Sequence, residues 1–122
     1  MNQVVLRIPW PPSVNHYWRM ARGRFYISGA GRIFRLQVQT ARGVAGQTMS
    51  GRLSLCVYAY PPDARRRDLD NVLKALLDAL QHAGVYEDDA QVDDLRVIRC
   101  ARCQDDKGGH VEVVVRTMGG GA

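Results

Sequence analysis

Lysine is nearly missing from this chain: of 17 Lys and Arg residues only Lys74 and Lys107 are lysine. Acidic residues are just as scarce at the start. Residues 1–67 hold Asp63 alone against 11 Arg, a formal +10, and residues 68–122 carry −5, which leaves the net +5 of the whole. A uniformly solubilised surface does not look like this; a basic surface for a polyanion does. Arginine offers a planar fork that grips phosphate in two places, which a lysine ammonium does not. No apolar run approaches the ~20 residues a membrane helix needs. The start, Met1 to Arg7, lacks the charge and long apolar stretch of a signal peptide. A soluble, cytoplasmic protein is expected.

Cysteine is also scarce. Cys56, Cys100 and Cys103 make an odd count, which argues against a disulfide framework and suits reduced thiols. Cys100 and Cys103 have CxxC spacing, but no second Cys or His pair completes a zinc site. His16, His82 and His110 show no metal-ligand spacing, so structural roles are expected of them. Repeats, linkers and low-complexity tracts are absent. A chain of 122 residues is one domain, placed at 1–118, with residues 119–122 a disordered tail.

What is present is a set of short periodic segments. Val4, Leu6 and Ile8 alternate with Val5 and Arg7 as a strand, ended by Pro9-Trp10-Pro11-Pro12. Residues 16–27 read as two short aromatic segments around a turn at Gly23. Phe34, Val38, Ala41 and Ala45 predict a helix over 31–46. Alternation over 53–60 predicts a strand closed by Pro61-Pro62. Leu69, Val72, Leu73, Leu76, Leu77 and Leu80 form the clearest helical stripe, with Asp68 as its N-cap and Gly84 as its stop. Strands near 95–103 and 110–116 would flank a hairpin loop over 104–109. The expectation is an α/β fold: one small domain, a mixed sheet and two main helices, in the order β-α-β-α-β-β.

The chemistry-bearing stretch is Arg65-Arg66-Arg67-Asp68-Leu69-Asp70-Asn71, with Lys74 one turn later. Arginine attracts phosphate and carboxylate repels it, so the mixture suits a divalent cation held between the two. Hard cations take oxygen ligands, and Mg²⁺ commonly uses one or two carboxylates. Asp70 and Lys74 share a helix face away from the leucine stripe. A second acidic cluster, Glu87-Asp88-Asp89 and Asp93-Asp94, follows the helix. A helix over 69–83 is about 22 Å long, so that cluster has to double back to reach Asp70. Each piece also has an ordinary explanation. Asp68 serves as a cap, Asp70 and Lys74 as a surface pair, Glu87 to Asp94 as a solvated loop, and Arg65 to Arg67 as a solubilising run.

With these residues in place, the chain resembles the RusA family of Holliday junction resolvases. The likeness covers nearly the whole chain. It rests on Pro9-Trp10-Pro11-Pro12-Ser13-Val14-Asn15, on Arg65 to Asn71 with Lys74-Ala75, and on Asp78-Ala79-Leu80 and Ala83-Gly84. It continues through Asp88-Asp89-Ala90-Gln91-Val92 and Lys107-Gly108-Gly109. The resemblance implies a catalytic set of Asp68, Asp70, Asp89 and Lys74, with the three aspartates as Mg²⁺ ligands and Asp89 returning to meet the other two. It implies a homodimer that acts on branched DNA without a nucleotide cofactor. Paired nicks in strands of like polarity would leave 5′-phosphate and 3′-hydroxyl ends. Arg19, Arg22, Arg24, Arg65, Arg66 and Arg67 are candidates for backbone contacts, and Tyr17, Trp18, Phe25 and Tyr26 for stacking on unpaired bases or for core and interface. The departures, in residues 36–52 and around Cys100 and Cys103, touch dimer contacts and sequence preference. Two rivals stay open: a non-catalytic branched-DNA-binding protein, and a Mg²⁺ nuclease for flaps or forks.

Overall fold

The computed structural model describes residues 3–43, 46–102 and 107–118. Alternating apolar residues build a four-stranded mixed sheet from β1 (Gln3–Pro9), β4 (Leu53–Tyr60), β5 (Val92–Arg99) and β6 (His110–Thr117). Its order is β1-β6-β4-β5. β6 is antiparallel to both its neighbours, while β5 runs parallel to β4. A separate hairpin of β2 (Trp18–Ala21) and β3 (Arg24–Ile27) follows the one-turn helix α1 (Val14–Tyr17). Its turn is Arg22-Gly23, both with positive φ, as a two-residue hairpin requires.

The mixed α/β architecture with two main helices is as expected. The helices are α2 (Gly29–Arg42) and α3 (Leu73–His82), with a 3₁₀ turn over Leu69–Val72 leading into α3. Phe34 and Val38 of α2 and Ala75, Leu76, Ala79 and Leu80 of α3 pack on one face of the sheet, against Leu6, Ile8, Leu55, Val57, Val111 and Val113. α2 starts where the Ser28 hydroxyl accepts from the Gly31 N–H at 2.9 Å. It ends at Arg42, short of the predicted 46, because the chain turns at Gly43 (φ 75°). α3 stops as predicted. Gly84 (φ 78°) takes the left-handed conformation that lets the Val85 N–H reach back to the Leu80 carbonyl.

One connection differs from the expectation. The last two strands are not a hairpin: β4 lies between them. β5 begins at Val92 rather than 95, and its parallel pairing with β4 makes β4-α3-β5 a βαβ crossover. Alternation alone marks a strand without naming its neighbour. Cys100 follows β5, whereas Cys103, residues 104–106 and the 119–122 tail lie outside the described residues. Among the described residues, no helix is long and apolar enough to cross a membrane.

Candidate active site

The βαβ crossover sets the geometry. β4 delivers the chain to the carboxyl edge of the parallel pair, where Pro61 to Asp68 loop over to the start of α3. Open α/β sheets place their ligands at this edge. Two devices hold the loop. Arg99, the last residue of β5, donates from its guanidinium to the Arg67 carbonyl at 2.7 Å. Gly109, just before β6, passes so close that an added Cβ would stand 2.6 Å from the Pro62 nitrogen and 2.9 Å from the Tyr60 carbonyl oxygen. Only glycine fits there, and its φ of +70° suits glycine too.

Within the loop the charges divide. The Asp63 carboxylate accepts from the Arg67 guanidinium, from the Arg65 backbone N–H at 2.9 Å and from the Arg65 guanidinium at 3.3 Å. These bonds, led by Arg67, hold the Asp63 carboxyl below the usual carboxylate range. Arg67 also sits 5.9 Å from the Trp10 ring centroid and is half-buried. Arg67 is therefore committed to the loop, whereas Arg66 is exposed with no acidic partner among the described residues.

The Asp68 and Asp70 side chains have no ion-pair partner among the described residues. Asp68 occupies the N-cap position in extended conformation, yet its side chain caps nothing. Asp70 and Lys74 are both exposed and do not form an ion pair. The ordinary explanations, a cap and a surface salt bridge, do not describe these side chains. Asp68 lines a cleft of about 280 Å³ with Trp10, Ser13, His16, Arg67 and Asn71. Lys74 lines a neighbouring cleft, on the α1 and β2–β3 side, with Val14, Asn15 and Trp18. Both clefts are bordered by α1 and by the beginning of α3.

Asp89 stands elsewhere. The chain does double back after α3: the Tyr86 hydroxyl donates to the Leu77 carbonyl at 2.8 Å, and the Asp89 N–H to the Gln81 side chain at 3.0 Å. This return docks on the far end of α3, at the amino edge of β5. The side chain of Gln91 secures it there, accepting from Glu87 and Asp88 N–H and donating to the Met49 and Gly51 carbonyls. With the Asp88 carboxylate accepting from Ala90 N–H, Asp88 to Gln91 form a capping box. Burial, then the Asp88 and Asp78 carboxyls, raise the Asp89 pKa. The eight residues of β5 span about 23 Å, so Asp68 and Asp70 stand at one edge of the sheet and Asp89 at the other. Among the described residues, no three His, Cys, Asp or Glu side chains converge to hold a metal. The pair Asp68 and Asp70, two unengaged oxygen donors, suits the one or two carboxylates Mg²⁺ takes.

Sequence reasoning missed a tie that positions this ground. Tyr17, fully buried on α1, donates its hydroxyl to the Asp78 carboxylate of α3 and accepts from Arg35 Nε of α2 at 2.8 Å. Arg35 closes the ring to Asp78 at 2.8 Å. Three helices meet in one polar knot. The available signal was Asp78 at i+4 from Lys74, on the same face.

The comparisons bear on this geometry. The model of the family described as Endodeoxyribonuclease RusA matches residues 9–116. The crossover junction endodeoxyribonuclease rusA of Enterobacteria phage HK97 is 50% identical over 81% of this chain and 84% of its own. The protein of the same name from Enterobacteria phage 82 is 43% identical, and RusA of Escherichia coli K12 is 42% identical, each over 98% of both chains.

Proposed function

Because the chain belongs to the RusA family of endodeoxyribonucleases, we propose that it resolves four-way DNA junctions by Mg²⁺-dependent, paired symmetric nicks as a homodimer. The observation that carries this reading is that the side chains of Asp68, Asp70 and Lys74, on one exposed helix start, have no partner among the described residues, beside a loop where Asp63 takes up Arg65 and Arg67. Unpaired charges of both signs at the carboxyl edge of a sheet suit a ligand carrying both phosphate and cation.

Asp68 and Asp70 would hold the ion. The chemistry it supplies when bound is a polarised phosphodiester, a more acidic water and compensation for charge developing in the transition state. The Lys74 ammonium is placed to neutralise charge on the phosphate oxygens, a contribution of the kind worth ~10²–10³ in rate. Arg66, Arg19, Arg22 and Arg24, exposed with no acidic partner among the described residues, are the cations left to position backbone phosphates without reading sequence. The third carboxylate, Asp89, stands too far along α3 to join the pair of its own chain. A twofold dimer offers the Asp89 of a second copy to each Asp68/Asp70 pair. Such a dimer also presents two equivalent sites to a junction with approximate twofold symmetry.

The test is a synthetic four-way junction with Mg²⁺ and then with EDTA. Symmetric nicks with Mg²⁺ alone are expected. Asp70→Asn should lower cutting by ~10²-fold or more while retaining junction binding. Binding without cutting by the unmodified chain would favour a non-catalytic DNA-binding protein. Faster cutting of flaps than of junctions would move the substrate to other branched DNA.

A further inference from the structure

A second cleft beside the carboxylate pair has a chemistry that phosphate and metal do not use. It is about 610 Å³ and is lined by Val14, Asn15, Trp18, Met20, Phe25 and Lys74. Its walls are mostly apolar, and two of them lie open: Met20 is 69% and Phe25 72% exposed. These two are direct cross-strand partners in the β2–β3 hairpin, so their side chains stand together on one face of it. Large apolar side chains grouped in the open mark a surface that something covers.

The charge around the cleft says what that is. Arg19, Arg22 and Arg24 occupy the same hairpin, exposed and without an acidic partner among the described residues. A flat apolar group carrying a phosphate satisfies both the walls and the rim. Trp18 is a firm platform for it: the Tyr17 ring meets it edge-on at 5.1 Å and the Arg35 guanidinium lies 5.9 Å from its centroid. Tyr17 is in turn fixed to Asp78 and Arg35. Asn15 adds an exposed amide with no side-chain partner among the described residues, able both to donate and to accept. The wall nearest the carboxylates is Lys74 itself.

We infer that this cleft receives an unstacked nucleobase adjacent to the cleaved phosphate, with Trp18, Met20 and Phe25 as its stacking walls and Asn15 reading its edge. The proposal rests on the nuclease reading above and deepens it. Phosphate on Lys74 brings the neighbouring base to the cleft mouth, so the choice of cutting position depends on which base fits. Only an unstacked base can enter, and the crossover of a branched junction supplies one.

The experiment uses the full chain and junctions bearing an abasic nucleotide at each position around the cut. Binding is measured in EDTA and cutting in Mg²⁺. One abasic position next to the cut should weaken binding by on the order of 10–100-fold, the usual worth of base stacking on an aromatic residue. Phe25→Ala should weaken binding to the intact junction similarly and then show no further loss on the abasic one, because the two changes remove one contact. Asn15→Ala should broaden the distribution of cut positions on a junction with a mobile crossover. Equal binding of abasic and intact junctions, or an unchanged distribution for Asn15→Ala, overturns the proposal. So does dissociation of the dimer by Phe25→Ala, which would make the cleft a contact between copies. A chain that cuts no junction sinks the nuclease reading, while the EDTA arm still decides on the base.

Discussion

At the scale of single residues, the site separates aspartates that are used from aspartates that are free. Asp63 is consumed by Arg67 and Arg65, whereas the carboxylates of Asp68 and Asp70, five and seven positions later, engage no partner among the described residues. The clamp makes a pH prediction. Because the folded Asp63 carboxyl titrates below its ordinary ~3.9, its support for the loop is complete above that value. The support is lost only as pH falls through the lower, folded one. The Asp63 carboxyl carbon should therefore still read as ionised by NMR at about pH 3. A midpoint at the ordinary carboxylate value would mean the clamp is open in solution. The residues of this stretch were legible in the sequence, because carboxylates among arginines that attract phosphate suit a cation held between carboxylate and phosphate. Which arginine stays free was not legible, since pairing of Asp63 with Arg67 depends on how the proline-led loop folds.

At the scale of elements, α1 is only one turn long and owes its place to the knot of Tyr17, Arg35 and Asp78. Removing the shared acceptor leaves a buried hydroxyl and a guanidinium unsatisfied. Asp78→Ala should cost ~2–3 kcal/mol of stability in urea unfolding, against ~1 kcal/mol for Tyr17→Phe. A loss below ~0.5 kcal/mol, the range of an ordinary surface change, would mean the helices hold α1 without it. Helix α3 was legible from its stripe, because a 3.6-residue period survives in any environment. The end of α2 was not, since Ala45 continues its apolar spacing past the turn at Gly43. The hairpin expected between β5 and β6 failed for a related reason: period two marks a buried face and is silent about which strand lies alongside.

At the scale of the molecule, the crossover separates the acidic groups by the length of the sheet, and the proposed second copy would reunite them. Mixed dimers test this. Asp70→Asn and Asp89→Asn chains, each inactive alone, should regain single-strand nicking when co-assembled with distinct tags. One of the two sites in such a dimer would then combine an intact Asp70 with an intact Asp89. If each chain builds its own site, both sites stay dead and the mixture cuts nothing.

The residues proposed to carry the chemistry, their order and the strength of α3 were legible in the sequence itself. They depend on side-chain type and short-range period, and both are local properties. The tertiary structure alone decided that β5 runs parallel to β4. It also decided that Arg67 is occupied while Arg66 has no acidic partner among the described residues, and that Asp89 lies across the sheet from Asp68 and Asp70. Those outcomes follow from strand pairing and loop closure between residues far apart in the chain, where packing of the whole core sets the geometry.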